Sequence, residues 1–214
     1  MYNPSHFEET RPEVLHALVA QHPLATVVGH TPEGLVANHI PLMLRTDAAG
    51  RATLVGHVAR QNPIWQPGAD GQPRQVLAVF QGASAYISPN WYATKADGGK
   101  VVPTWNYAVV HASGPLQAVH DTAWKLDLLT ALTHTHERGQ PHPWQVSDAP
   151  ADYTERLLAA IVGIEIPVVR WQGKWKVSQN QPAANRHSVV AGLNASGDPA
   201  QQAMANLVEH APCR

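Results

Sequence analysis

Residues Val76 to Gly114 read VLAVFQGASAYISPNWYATKADGGKVVPTWNYAVVHASG, and this stretch restricts the fold more than any other. Two apolar, β-branched and aromatic runs, Val76–Ser88 and Val101–Ser113, flank a polar loop. Such residues suit a pleated, half-buried surface, so the stretch is expected to form two antiparallel strands. Alternation in the second run sends Trp105, Tyr107 and Val109 to one face and Thr104, Asn106 and Ala108 to the other. The first face is the expected core side. The second carries a hydroxyl and an amide among small side chains. The connecting loop holds Ser88, Asn90, Trp91, Tyr92, Lys95 and Lys100. Hydrogen-bonding groups, aromatic planes and two cations suit a flat, phosphorylated ligand, and equally a solvated loop.

The flanking chain is rich in strands. Arg11–Gln21 has Pro12 in a first turn and an apolar stripe of Leu15, Leu18 and Val19, which predicts a helix stopped by Pro23. Strands are expected at Leu24–His30, Leu35–Leu44 and Ala52–Val58, with turns at TPEG (Thr31–Gly34) and Asp47–Gly50. A Pro/Gly-rich loop spans Asn62–Pro73. Leu116–His120 continues the second long strand past a bend at Gly114 and Pro115. Asp121 caps a helix to about Glu137, with Trp124, Leu128, Leu129 and Leu132 on one face. A second helix is expected over Ala151–Ala160. Ile161–Trp171 and Lys174–Gln179 read as a last hairpin turning at Gln172–Gly173. A polar, Gly/Ala-rich end with a weak helix at Ala200–His210 follows. These elements predict a mainly β fold with flanking helices, an antiparallel barrel rather than a doubly wound parallel sheet. The expected domain is a single one over residues 1–193, with 194–214 as a C-terminal tail.

Composition narrows the chemistry. With 214 residues and 44% hydrophobic content the chain can bury a real core. A formal net charge of −1 gives no general attraction for nucleic acid. Low charge together with seven tryptophans points to surface covered by a partner, in the first instance a second copy. Cys213 is the single cysteine, which excludes an internal disulfide and a cysteine-built metal site. The opening MYNPSHFEET lacks the pattern of a signal peptide, and no run of about 18 apolar residues predicts a membrane span. A cytoplasmic location is expected.

Several motifs are missing: no G-x-G-x-x-G after a strand, no P-loop spacing around Gly98-Gly99-Lys100, and no G-x-S-x-G elbow. Thirteen histidines invite a metal site, but His134 and His136 stand at i, i+2 on a predicted helix and diverge. No metal is expected. Three patches remain. His57, Arg60 and Asn62 lie where a strand opens into a turn, and an arginine there can fork onto a phosphate. Asn38-His39-Ile40-Pro41 reads as an edge or a bulge. The central hairpin is the third.

Those residues also carry a resemblance. The runs GHVARQNPIW (Gly56–Trp65), VLAVFQGASAYISPNWYATK with GKVVPTWNYAVVHASG, PWQVSDAPADY (Pro143–Tyr153) and IVGIEIPVVRWQGKWKVSQN (Ile161–Asn180), with the MYNPSHF start, resemble the PaiB family of FMN-binding negative transcriptional regulators. The likeness extends from Met1 to about Leu193. Asn185–Leu193, NRHSVVAGL, departs from the family's Asp-Arg-x-Gly pattern. The resemblance implies the FMN-binding split barrel and a homodimer holding FMN at its interface with side chains from both subunits. It implies that His57, Arg60 and Asn62 face the phosphate and ribityl chain, and that Thr104 and Asn106 meet the ribityl or the ring edge. Lys95 and Lys100 are further candidates for the phosphate. Lys174, Lys176 and Gln179 are candidates to reach in from the partner subunit. Trp105 near the ring conflicts with the alternation above unless a bulge intervenes.

Three functions stay open. The resemblance implies a repressor of sporulation and protease genes, for which Arg170, Lys174 and Lys176 make the best basic cluster, though no recognition helix is visible. An FMN-dependent oxidoreductase acting on a small molecule or haem is the alternative, with His39 or His57 as proton donor. A dimer that has lost its cofactor is the third.

Overall fold

The structure, a computed structural model, describes residues 1–31 and 34–211; Pro32 and Glu33 of the expected TPEG turn, and Cys213, lie outside the described residues. In chain order the elements are β1 (Glu8–Glu9), α1 (Pro12–Gln21), β2 (Leu24–Thr31), β3 (Gly34–Pro41), β4 (Met43–Thr46), β5 (Ala52–Ala59), β6 (Arg74–Ile87) and β7 (Thr104–Val119). They continue with α2 (Thr122–Glu137), α3 (Ala151–Ala159), β8 (Ile161–Pro167), β9 (Arg170–Lys176), α4 (Ala183–Ala195) and α5 (Pro199–Glu209). Hydrogen bonding runs in the order β3-β2-β6-β7-β8-β5-β4, with β1 and β9 off this path. The sheet is open: β3 and β4 are the ends of the order. The chain divides into two compact units, one of Met1–Leu18, Gln81–His111 and Gln172–Arg214, the other of Val19–Phe80 and Ala112–Trp171.

The second unit holds most of the sheet. β2 pairs antiparallel with β3 (Thr26↔His39) and with β6 (Thr26↔Val79), and β5 pairs with β4 and β8. Period-2 alternation puts Ala25 and Val27 inside while Leu24 and His30 face out. β3 is an edge in the strand order, as Pro41 predicts. Asp121 caps α2 by accepting from Trp124 N–H at 2.7 Å. Of the expected apolar stripe on α2 only Leu128 is fully buried, and Lys125 is buried beside it, donating to the Leu158 carbonyl.

The first unit packs the ends of β6 and β7 with β9, β1 and the two C-terminal helices. Its core joins Ile87, Tyr92, Val177, Val189, Leu193 and Met204, all buried. β1 pairs with β9, Glu8↔Lys174 and Glu9↔Gly173. α5 is capped by Asp198, whose carboxylate accepts from Ala200 N–H at 2.9 Å.

Three expectations are corrected. The last hairpin does not form: β8 pairs with β5 and β7, while β9 pairs with β1 and β7. β9 runs straight through Gln172–Gly173. Gly173 answers a close approach and not a turn, because a Cβ there would sit 2.6 Å from the Glu9 carbonyl oxygen and 2.3 Å from Leu15. The core face is also reversed at the start of β7: Asn106 and Ala108 are buried, Trp105 is 57% exposed and Tyr107 half-buried, while Val109 is buried as expected. Finally, Ala183–Ala195 is helix where no element was expected, and both α4 and α5 contribute side chains to the core.

Candidate functional site

The first unit contains a cavity of about 350 Å³. β7 opens into it with Thr104 and Asn106, the preceding loop supplies Tyr92, Thr94, Lys100 and Val102, and β9 ends at it with Lys176. The segment from Ser178 to Pro182, and Asn185 on α4, close the wall.

Several of its polar groups are held by specific partners. Lys176, half-buried, donates to the Thr104 hydroxyl and, at 2.6 Å, to the Trp105 carbonyl. Burial and, secondarily, the charge of Lys174 push its ammonium pKa below the ordinary lysine value. Asn106 donates to Ser178 Oγ at 2.8 Å. Ser178 has φ +62°, a left-handed backbone that swings the chain from the end of β9 round the cavity. Asn185 accepts from Thr94 N–H at 3.0 Å and donates to Thr94 Oγ1 at 3.0 Å and to Gln181 Oε1 at 3.1 Å. Ala93 N–H donates to Ser188 Oγ at 3.3 Å, and Trp91 lies so close to Gly192 that a Cβ there would meet its ring at 2.5 Å. Helix α4 thus fastens the loop that forms one wall. Beyond the fastened part, Gly98 (φ +116°) and Gly99 (φ +68°) turn the chain toward Lys100.

Of the residues singled out in the sequence, the cavity brings together Lys100, Thr104, Asn106 and Lys176. Lys95 turns away and donates to Asn90 Oδ1 at 2.6 Å. His57, Arg60 and Asn62 belong to the second unit. Arg60 donates from Nε to the Ala159 carbonyl at 2.7 Å and from Nη2 to the Ile161 carbonyl at 3.2 Å. Asn62 caps the 3-10 turn Pro63–Trp65 and donates to Asn38 Oδ1 at 2.7 Å. His57 is half-buried, its Nδ1 is enclosed with no hydrogen-bond partner, and burial pushes its pKa below the ordinary imidazole value. Of the basic cluster suggested for nucleic acid, Arg170 is exposed and the two lysines are engaged internally: Lys174 is 7% exposed, donates to the Tyr2 carbonyl and lies 5.5 Å and 5.4 Å from the ring centroids of Tyr2 and Tyr107, and Lys176 is bonded as above. Sequence reasoning missed Thr94, Ser178, Gln181 and Asn185. The run of hydroxyl and amide side chains from Ser178 to Gln181, between a strand and Pro182, was the available signal.

Residues 1–170 match the family described as "Putative FMN-binding domain". The chain belongs to this FMN-binding family. Within it the chain is 30% identical to the protease synthase and sporulation protein PAI 2 of Bacillus subtilis (strain 168), over 98% of this chain and 97% of that protein. It is 32% identical to an uncharacterized protein of Emericella nidulans, over 97% of this chain and 96% of that one. Among solved structures it resembles the FAD and heme binding protein from Mycobacterium smegmatis, with TM-score 0.58, 19% identity, and coverage of 86% of this chain and 80% of that one. It also resembles the flavocytochrome Anf3 from Azotobacter vinelandii, with TM-score 0.56, 14% identity, and coverage of 79% and 69%. These likenesses show the fold, an antiparallel split barrel with flanking helices. The PaiB-type resemblance read from the motifs and the flavin it implied therefore stand. The donor set of the cavity fits the phosphate-bearing end of FMN: two ammonium groups, hydroxyls and amides, with no carboxylate among the lining residues. Lys176, Ser178, Gln181 and Asn185 all lie beyond the matched residues.

Proposed function

We propose that this PaiB-type chain binds FMN with the phosphate end in the cavity of the first unit, where Lys100 and Lys176 supply charge and Thr104 and Asn106 supply hydrogen-bonding groups. The observation that carries this reading is the convergence of those four side chains on one cavity. Bound there, the flavin would supply redox chemistry, and the chain's own part is to bind and orient it.

The protein works as a homodimer in the cytoplasm. Val102, Trp105 and Tyr86 of the first unit are 72%, 57% and 48% exposed, and Tyr86 and Trp105 stack edge to face. Aromatic surface of this kind beside a cavity suits a second copy. Among the described residues, no helix is long and apolar enough to cross a membrane.

The name of the Bacillus relative supports a regulatory role in protease synthesis and sporulation. Here that role runs through the flavin or a protein partner, because Lys174 and Lys176 are bonded within the fold and leave Arg170 as the exposed cation of the three on β9. A second reading, an FMN-dependent oxidoreductase, is favoured by His57. Its Nδ1 is enclosed without a hydrogen-bond partner, and burial favours the neutral imidazole, the form that can accept a proton.

Titration of the apo protein with FMN and with riboflavin, followed by flavin fluorescence, tests the site. Lys176→Met should weaken FMN at least about tenfold, by removing one charge from a partly desolvated cavity, and should weaken riboflavin much less. Equal effects on both flavins would remove the phosphate from this cavity.

A further inference from the structure

The cavity wall contains an asymmetry that electroneutrality does not require. The chain carries 16 acidic and 15 basic side chains. Yet the lining residues include two lysines, the amides Asn106, Asn180, Gln181 and Asn185, and no aspartate or glutamate. Each amide occupies a position that a carboxylate of the same shape would fill. At two of them the hydrogen bonds leave room for that exchange. Gln181 uses only its Oε1, as acceptor from Asn185 Nδ2. Asn185 accepts from Thr94 N–H through Oδ1, as a carboxylate would; the Thr94 hydroxyl can donate as readily as accept, and the Gln181 amide can turn its Nε2 toward the oxygen that replaces Asn185 Nδ2. Hydrogen bonding alone therefore does not account for the amides. A carboxylate at the 2% exposed position of Asn185, in the wall of the same cavity, would oppose the field of the lysines in a partly desolvated space, where charges interact several-fold more strongly than in water.

We propose that the amide wall, through Gln181 and Asn185, is a specificity device that keeps the cavity positive and selects a doubly charged phosphate monoester over a neutral ligand of the same ring system. Asn185 has a second part as a positioning residue. By bonding both the amide and the hydroxyl of Thr94 it ties α4 to the loop leading to Lys100. The selection rests on the proposed placement of the FMN phosphate in this cavity. It goes further in assigning discrimination to two uncharged residues outside the matched segment.

The test is the ratio of FMN to riboflavin affinity in wild type, Gln181→Glu, Asn185→Asp and Lys100→Ala, each checked for native fold by circular dichroism. In both carboxylate variants FMN affinity should fall about tenfold further than riboflavin affinity. Gln181→Glu keeps the acceptor for Asn185, so it remains informative if Asn185→Asp fails to fold. If Lys100→Ala lowers the ratio and the carboxylate variants leave it at the wild-type value, the amide wall is not a selector and the proposal falls alone. If Lys100→Ala also leaves the ratio unchanged, the phosphate lies elsewhere, and the proposal falls with the placement it rests on.

Discussion

Asn106 donates its side-chain amide to the Ser178 hydroxyl oxygen at 2.8 Å, and both residues are buried. This bond joins β7 to the segment after β9 at the floor of the cavity. It also explains why an asparagine occupies the core face of a strand: its desolvation is offset by a partner.

Ser178 separates two contributions that one substitution would merge. Ser178→Ala leaves a buried amide unpaired and keeps a side chain in the left-handed region, so stability should fall by about 1–3 kcal/mol. Ser178→Gly also loses the hydroxyl but relieves the positive φ. It should be less destabilised than Ser178→Ala by about 1 kcal/mol. Urea unfolding of the two variants measures the difference.

Lys176 predicts an alkaline limit to flavin binding. Its lowered pKa means that the ammonium loses its proton at lower pH than an ordinary lysine, removing positive charge from the cavity as pH rises. FMN affinity should therefore decline on the alkaline side before ordinary lysines titrate. The decline should be absent in Lys176→Met, whose affinity is low throughout. Titrations across alkaline pH read this directly.

His57 predicts sensitivity to acid. Its folded pKa lies below the unfolded value of about 6.5, so between the two the unfolded chain binds more protons. The contribution of neutral His57 to stability is present above that unfolded value and is lost as pH falls toward the folded one. Replacing His57 by Gln should flatten this part of the stability profile, measured as the denaturation midpoint against pH.

Much of the barrel was legible because its residues announce it locally. Pro12 and Pro23 bracket α1, Asp121 caps α2, and β-branched alternation marks β2 and β5. What was not legible depended on distant partners. Trp105 looks like a core residue by size, but the partner that makes Asn106 buriable is Ser178, seventy-two residues away. Gly173 looks like a turn until β1 is seen lying against it. Helix α4 has little apolar contrast because it buries Asn185 and Arg186 as well as Val189 and Leu193. Of the site, the sequence pointed to the two lysines, Thr104 and Asn106. It could not point to the α4 side of the wall, whose residues act through Thr94.

The C-terminal helices should accordingly be integral to stability. Met204 is fully buried in the core of the first unit, and Met204→Ala should cost about 2–5 kcal/mol. Gly192→Ala drives a methyl into Trp91 and should cost about 1–3 kcal/mol despite the better helix propensity of alanine. A lowered thermal midpoint in both variants is the expected result.

The most direct measurement is the crystal structure of the protein with FMN bound, read for the position of the phosphate. The account predicts a phosphate within hydrogen-bond distance of Lys100 Nζ and Lys176 Nζ, against the wall of Gln181 and Asn185. A phosphate seated on Arg60 and Asn62, with the cavity of the first unit holding only water, would contradict it.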